Sequence, residues 1–443
     1  MREKEFLPLL ESRFGITEIN EMQKKMLEAS SQKRDIILLS PTGSGKTLAF
    51  IMPVLKMLRE STGRIQCVVI APSRELVLQI SGVFSTLASG FKVTALYGGH
   101  KVEDEVNSLR ITPDIIVATP GRLLDHINRR NIDVLPVRIL VLDEFDKTLE
   151  LGFEDDLRKI MAKLKNVSRI ILTSATRSDS LPEFLKLNNP LELDFLGDIR
   201  KVRRRLIVNK VQSDGKDKLE SLYVLLKNLT EGKHPDRSII FVNYRESAER
   251  VADYLAKRGA DVVLYHGALD QKQRETAIAA FNSGSRPILV ATDLAARGLD
   301  IKGVKHVIHY HQALTPEVYT HRNGRTARVD EEGEAYILVG PDEDIKEFTE
   351  IDRERHLDTS IHHDLKSGLE TVVINAGKKE KVSRGDIVGF LVKECNVDGN
   401  GIGKIDVFDH YSLVAVPRED ADRIVSMGNS LKLKGQRRRF YSL

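Results

Sequence analysis

The chain has 443 residues, 41% apolar and 30% charged, which is more than one ordinary domain needs and enough to fill several packed cores. Two cysteines, Cys67 and Cys395, give neither a disulfide framework nor a zinc spacing, and no apolar run reaches membrane-spanning length, so a cytoplasmic protein is expected. Against 64 Asp and Glu, the 68 Lys and Arg leave a net charge of only +4, concentrated in clusters such as Arg203–Arg205 and Arg437–Arg439, a distribution that suits a nucleic-acid partner. Near the start, Gly15–Gln23 leads into an amphipathic stretch. A Gln amide both donates and accepts, which makes Gln23 a candidate reader of an adenine edge.

The apolar run Asp35–Leu39 reads as a buried parallel strand, and Leu48–Met52 as the start of a helix. Between them lies Ser40–Thr47, a glycine-rich turn ending in Lys-Thr at a helix N-terminus. That arrangement holds nucleotide phosphates. Backbone N–H groups around Thr42, Gly43, Ser44 and Gly45 approach the oxygens, Lys46 adds a cation, and the Thr47 hydroxyl can ligate Mg²⁺. The first position of the pattern, normally Gly, is Ser40.

The same rhythm then recurs. Gln66–Ile70 leads to Ala71–Leu76, Asp114–Ala118 to Thr119–Arg122, Arg138–Leu142 to Asp143–Asp146, and Arg169–Leu172 to Thr173–Thr176. Alternating strands and helices imply a parallel sheet covered on both faces, with ligands at the carboxyl ends of the strands. Asp143 at such an end suits an Mg²⁺ held together with Thr47. Glu144 is then placed to orient and deprotonate a water that attacks the γ-phosphate.

Residues 201–205 read as a linker, after which a second series begins: Ser238–Val242, Asp261–Tyr265, Pro287–Ala291 and Lys305–His309 as strands with helices between. This half has no phosphate loop. It carries Thr292–Asp300 and His321–Arg328, in which Arg322, Arg325 and Arg328 recur every three residues and would share one side of a helical turn. Arginines from a second domain suit a transferring phosphoryl group, the alternative being a solvated basic face. His309, His311, His362 and His363 lack a third ligand at metal spacing and read as structural.

Taken together, Ser40–Thr47, Pro72–Leu76, Gly98-Gly99, Thr119–Arg122, Asp143–Asp146, Ser174–Thr176, Ala296–Asp300 and His321–Arg328, in this order, resemble the DEAD-box RNA helicases over roughly residues 15–340. The resemblance implies two RecA-like domains (1–200 and 206–360) with ATP and RNA between them. It implies RNA contacts by Arg74, Gly99, Thr119, Arg122, Gln271, Arg274 and Thr292, mostly to phosphate and ribose. It further implies a ribose contact by Asp300, coupling of the two ligands through Asp146, Ser174 and Thr176, and γ-phosphate contacts by Arg325 and Arg328. Departures from the family pattern are Phe145 for Ala, Ser40 for Ala, Ile19-Asn20 and Ile16 around Gln23, and Asn323 and Ala327 in the last block.

After Arg355 the pattern changes. Thr371–Ile374, a helix over 383–394, Gly403–Phe408, Ser412–Val416, a helix over 419–427, and Arg437–Ser442 give the β-α-β-β-α-β order of ferredoxin-like, RRM-like α+β domains over 370–443. Tyr411 is the one aromatic near the third strand, so a base-stacking sheet is not expected. Ser383–Gly389 and Ile402–Ile405 resemble the C-terminal domain of bacterial DbpA-type helicases, which implies a structured element of large-subunit ribosomal RNA as target. The cations Lys404, Arg437, Arg438 and Arg439 are its candidate contacts, and a protein-docking module is the alternative. The expectation is a monomeric, ATP- and Mg²⁺-dependent RNA helicase acting in ribosome assembly, with an ATP-gated RNA clamp or annealing factor as the rival reading.

Overall fold

The computed structural model describes residues 3–41, 43–177, 181–198, 206–293, 301, 303–326 and 333–443. The chain divides into two compact units near residue 204, and the C-terminal module belongs to the second. Thr42, Arg328 and the whole Ala296–Asp300 block lie outside the described residues, as does the 201–205 linker.

In the first unit seven strands among the described residues form one parallel sheet: β1 (Ile36–Leu39), β2 (Cys67–Ile70), β3 (Val93–Leu96), β4 (Ile115–Ala118), β5 (Ile139–Leu142), β6 (Arg169–Ser174) and β7 (Leu191–Asp194). Their order across the sheet is β3-β4-β2-β5-β6-β1-β7. The central strands are apolar on both faces because both faces are covered. Cys67 and Val69 join one core with Phe50, Ile80 and Phe84, while Val68 and Ile70 join the other with Leu123, Leu157 and Ile160. Phe145, the departure from Ala, is buried in this second core, so the larger ring is packed and leaves the acidic residues beside it in place. Five strands were legible as apolar runs. β3 and β7 were not, because the first is interrupted by Thr94 and the second alternates Leu with Glu and Asp as an edge strand does.

The second sheet comprises β8 (Leu206–Gln212), β9 (Ser238–Val242), β10 (Val262–Tyr265), β11 (Ile288–Thr292), β12 (His306–His309), β13 (Gly333–Val339) and β14 (Arg353–Glu354), again parallel, in the order β10-β11-β9-β12-β13-β8-β14. β8, β13 and β14 add to the four strands expected. Leu357 and Leu365 pack into this core, so the chain stays with the second sheet beyond residue 360.

The C-terminal module is an antiparallel sheet of β15 (Leu369–Ile374), β16 (Ile405–Val407), β17 (Ser412–Pro417) and β20 (Phe440–Ser442), in the order β16-β17-β15-β20. Ser383 caps the first helix (Arg384–Lys393) in a reciprocal pair with Asp386. The second helix spans Arg418–Ser430. A small hairpin of β18 (Lys432–Leu433) and β19 (Gln436–Arg437) precedes β20, so Arg437 sits in that hairpin and not in the last strand of the main sheet.

Both faces of this sheet are covered. Val372, Ile374, Val414, Val416 and Phe440 face the module's own helices. The opposite face, carrying Val373, Leu413, Tyr411 and Tyr441, packs on Ala279 of the helix Gln271–Ser283 of the second parallel-sheet domain. At this seam Tyr411 Oη donates to Glu275 Oε2 (2.7 Å), and Lys272 Nζ lies 5.2 Å from the Tyr411 ring centre. Four charges close its edge: Arg286 is 2.8 Å from Glu370 and 3.6 Å from Asp261, and Arg418 meets Glu370 at 3.1 Å and pairs with Asp261. Two cations and two carboxylates offset one another's desolvation, so removing one leaves an uncompensated charge. Arg418→Met should therefore lower the stability of the second unit by roughly 2 kcal/mol. A urea midpoint equal to that of the unaltered chain would show that the network contributes nothing.

Candidate nucleotide and RNA sites

The strand order of the first sheet decides which loops become neighbours. At its carboxyl edge Gly99 follows β3, Thr119 and Arg122 follow β4, Arg74 follows β2, Asp143–Asp146 follow β5, Ser174 ends β6 with Thr176 just after it, and the phosphate loop follows β1. Candidate RNA residues thus occupy one side of the edge, candidate nucleotide residues the other, and the coupling residues the strands between.

On the nucleotide side, Gly45 adopts φ +90° at the entrance to the helix Lys46–Met57, and a Cβ there would meet the Gln23 amide at 2.7 Å. Gln23 is buried. Its Nε2 donates to Gly45 O (3.3 Å), and its Oε1 accepts from Asn20 N (3.0 Å), while Asn20 Nδ2 donates to Ser44 O (3.0 Å). The candidate adenine reader is therefore also a brace of the phosphate loop. Ser40 has a similar use: its hydroxyl lies 2.6 Å from that of Ser44, which also donates to Pro41 O (2.8 Å). Thr47 lies in the first turn of the following helix.

Lys46 is buried, and its ammonium has no hydrogen-bond partner among the described residues. Such a group is costly unless an anion joins it. Asp143 is also buried, and burial together with the neighbouring Glu144 pushes its carboxyl up to about 6, with Lys46 opposing the shift. Thr173 Oγ1 donates to Asp143 Oδ1 (2.5 Å) and accepts from Glu144 N (3.2 Å), so one hydroxyl fixes both carboxylate-bearing residues. Glu144 holds φ +46°, a left-handed backbone that a non-glycine residue adopts at a cost. A crowded acidic site beside an orphaned ammonium fits a nucleotide phosphate with a divalent cation. No cluster of three metal-ligating side chains occurs among the described residues.

Asp146 connects the acidic loop to β6. Its Oδ2 accepts from Thr176 Oγ1 (3.0 Å) and Ala175 N (3.2 Å), and Ser174 Oγ donates to Thr176 O (2.6 Å). All three expected coupling residues meet.

On the RNA side, Gly99 has φ +99°, and a Cβ there would collide with the Arg74 guanidinium. Ser73 caps the helix that begins with Arg74. Arg122 Nη2 donates to His100 O (3.2 Å), and Thr119 begins its helix without spending its hydroxyl on a capping bond. These four residues cluster as expected.

In the second unit, Gln271 and Arg274 lie at the N-terminus of the helix after β10, and Thr292 ends β11. Arg274 donates from Nε to Leu269 O (3.0 Å) and from Nη2 to Gly267 O (2.5 Å), while Gln271 Nε2 donates to Glu275 (2.8 Å). The expectation that Arg322, Arg325 and Arg328 share a helical turn needs correction. The helix Pro316–Asn323 stops before Arg325. Arg322 is fully buried, held by Asp293 (2.5 and 2.8 Å), Asn243 Oδ1 (2.7 Å) and His311 O (2.6 Å). Arg325 is buried too, so neither residue is a solvated face. Burial and Arg322 push the His309 imidazole down to about 3, and burial pushes His311 down to about 4, which keeps both neutral and structural.

The tail cations are not brought together. Lys404 precedes β16 and pairs with Asp406 (2.9 Å), whereas Arg437–Arg439 approach β20, the opposite edge of the sheet. Sequence reading missed Thr173, Asp293 and the buried acid Glu105, all of which act through contacts distant along the chain.

Residues 20–184 match the model of the DEAD/DEAH box helicase family, 217–330 that of the helicase conserved C-terminal domain, and 371–441 that of the DbpA RNA binding domain. The chain is 32% identical over 437 residues to the ATP-dependent RNA helicase DbpA of Escherichia coli, covering 95% of this chain and 94% of that one. It is 34% identical over 382 residues to the DEAD-box ATP-dependent RNA helicase RhpA of Helicobacter pylori, covering 84% and 75%. Among solved structures it resembles S. cerevisiae Dbp5 bound to RNA and ADP BeF3 (26% identity, TM-score 0.67, 80% of this chain and 93% of that one). It also resembles Mss116p bound to ssRNA and AMP-PNP (26% identity, TM-score 0.70, 81% and 78%). No helix among the described residues is long and apolar enough to cross a membrane. The chain belongs to the DEAD-box ATP-dependent RNA helicases and is an RNA-dependent ATPase.

Proposed function

We propose that the chain binds Mg²⁺-ATP through the 43–47 loop, Lys46 and Asp143, hydrolyses it with Glu144 as the base, and uses the cycle to separate short RNA duplexes. The observation that supports this reading best is the buried, unpartnered Lys46 ammonium beside an acidic pair fixed by Thr173. Mg²⁺, with Thr47 and Asp143 in its shell, would offset charge on the phosphate oxygens. Gln23 positions the loop and the adenine. Glu144 takes the proton of the attacking water. Arg325 and Arg328 stabilise the charge of the transferring phosphoryl group in the RNA-bound state, with Asp300 on the ribose. Arg74, Gly99, Thr119 and Arg122 of one unit, and Gln271, Arg274 and Thr292 of the other, hold single-stranded RNA by its backbone.

The C-terminal module directs this activity to large-subunit ribosomal RNA during ribosome assembly, in the cytoplasm and as a monomer. Both cysteines are buried and unpaired, which suits a reducing compartment. With one sheet face packed on the Gln271–Ser283 helix, the module reads RNA by its outer edges, where Arg437 and Lys404 are exposed.

Glu144→Gln keeps the shape and removes the base, so it should retain ATP and RNA binding while lowering turnover at least about 100-fold. Turnover within a few-fold of the parent would remove Glu144 from the mechanism. Ribosomal RNA should activate the ATPase at lower concentration than polyadenylate. Arg437→Glu should narrow that difference several-fold and leave activation by polyadenylate intact. An unchanged ratio would place the address elsewhere.

A further inference from the structure

Glu105 lies beneath the RNA-binding edge of the first unit and belongs to none of the motifs read from the sequence. It is carried by the helix Val102–Leu109 and is 3% exposed. A buried carboxylate needs several donors, and Glu105 has them. Oε1 accepts from Tyr97 N (2.8 Å) and lies 3.2 Å from His100 Nε2. Oε2 lies 2.8 Å from His126 Nε2 and 3.3 Å from Arg122 Nη1. His126 is itself fully buried, and its Nδ1 lies 3.0 Å from Asn131 Nδ2. An amide nitrogen can only donate, so Nδ1 is the acceptor and Nε2 carries the proton given to Glu105.

The donors come from two places. Tyr97 and His100 bracket Gly98-Gly99, the turn after β3. Arg122 and His126 stand one turn apart on the helix Pro120–Asn128 that follows β4. Arg122 closes the ring by donating from Nη2 to His100 O (3.2 Å). One carboxylate therefore holds the turn that carries Gly99 and the Arg122 guanidinium together.

We propose that Glu105 is a positioning residue for RNA: it holds Gly99 and Arg122 in register so that consecutive backbone groups of one strand meet both. This rests on the reading that Arg122 and Gly99 contact RNA. Loss of the carboxylate would free Arg122 and the turn separately and weaken RNA binding without touching the nucleotide loop, which follows β1 further along the sheet edge.

The test uses the full chain and four variants: Glu105→Gln, Glu105→Asp, Arg122→Ala and the double change Glu105→Gln with Arg122→Ala. An amide at 105 turns a donor toward His126 and Arg122. Glu105→Gln should raise the RNA concentration for half-maximal ATPase about ten-fold or more, while kcat at saturating RNA and ATP affinity without RNA stay within about two-fold. Glu105→Asp, which keeps the charge but shortens the reach, should fall between. In the Arg122→Ala background the effect of Glu105→Gln should shrink, since part of it runs through that guanidinium. If Arg122→Ala weakens RNA binding and neither Glu105 variant does, the inference is overturned and the RNA site stands. If Arg122→Ala has no effect, the reading of the RNA site itself fails, and the inference with it. Should both Glu105 variants lose ATP affinity or kcat together with RNA affinity, Glu105 is a fold residue only, and the proposal is wrong.

Discussion

A parallel sheet releases its chain at one edge, and the order of the strands decides which released loops touch. In the first unit that order runs β3-β4-β2-β5-β6-β1. Everything chemical hangs on this sequence of neighbours. The loops after β3, β4 and β2 carry Gly99, Arg122 and Arg74, the loop after β1 carries Lys46, and β5 and β6 stand between with the acids and hydroxyls that face both ways. Two buried side chains make the edge rigid enough to act. Thr173 ties Asp143 to the backbone of Glu144, and Glu105 ties the turn at Gly99 to Arg122. In each case a single polar group satisfies donors or acceptors from separate loops, so neither loop shifts without leaving a buried polar atom unpaired.

Much of this was legible from local pattern. The phosphate loop, the acidic pair and the Ser174–Thr176 turn are short, contiguous and flanked by apolar runs, so their chemistry and their place at strand ends could be read together. The parts missed share a physical reason. Thr173 is an ordinary residue of a buried strand until Asp143, 30 positions away, is folded beside it. Arg322, spaced with Arg325 and Arg328 like a surface stripe, is buried because half-buried Asp293 and Asn243 take up its guanidinium. Spacing reports which residues share a helix side, and it is silent on what that side meets.

The tail shows a signal present but unused. Val372 and Ile374 face one way on β15 while Val373 faces the other, and Leu413 and Val414 alternate likewise on β17. Strands apolar on both faces belong to a sheet covered on both faces. Here the second cover is the Gln271–Ser283 helix, whose N-terminus carries Gln271 and Arg274. The module is thereby fixed to an element of the second unit that also carries candidate RNA contacts, and movement of one carries the other.

The central proposal is that the candidate nucleotide and RNA halves of the first sheet's edge communicate through Asp146, Ser174 and Thr176. Its most direct test is thermodynamic coupling: RNA affinity measured with and without a non-hydrolysable ATP analogue, in the parent chain and in Thr176→Val, which removes the hydroxyl donating to Asp146. The account predicts that each ligand alone binds Thr176→Val nearly as it binds the parent, while the tightening of RNA by nucleotide falls about five-fold or more. A coupling unchanged by Thr176→Val would contradict it.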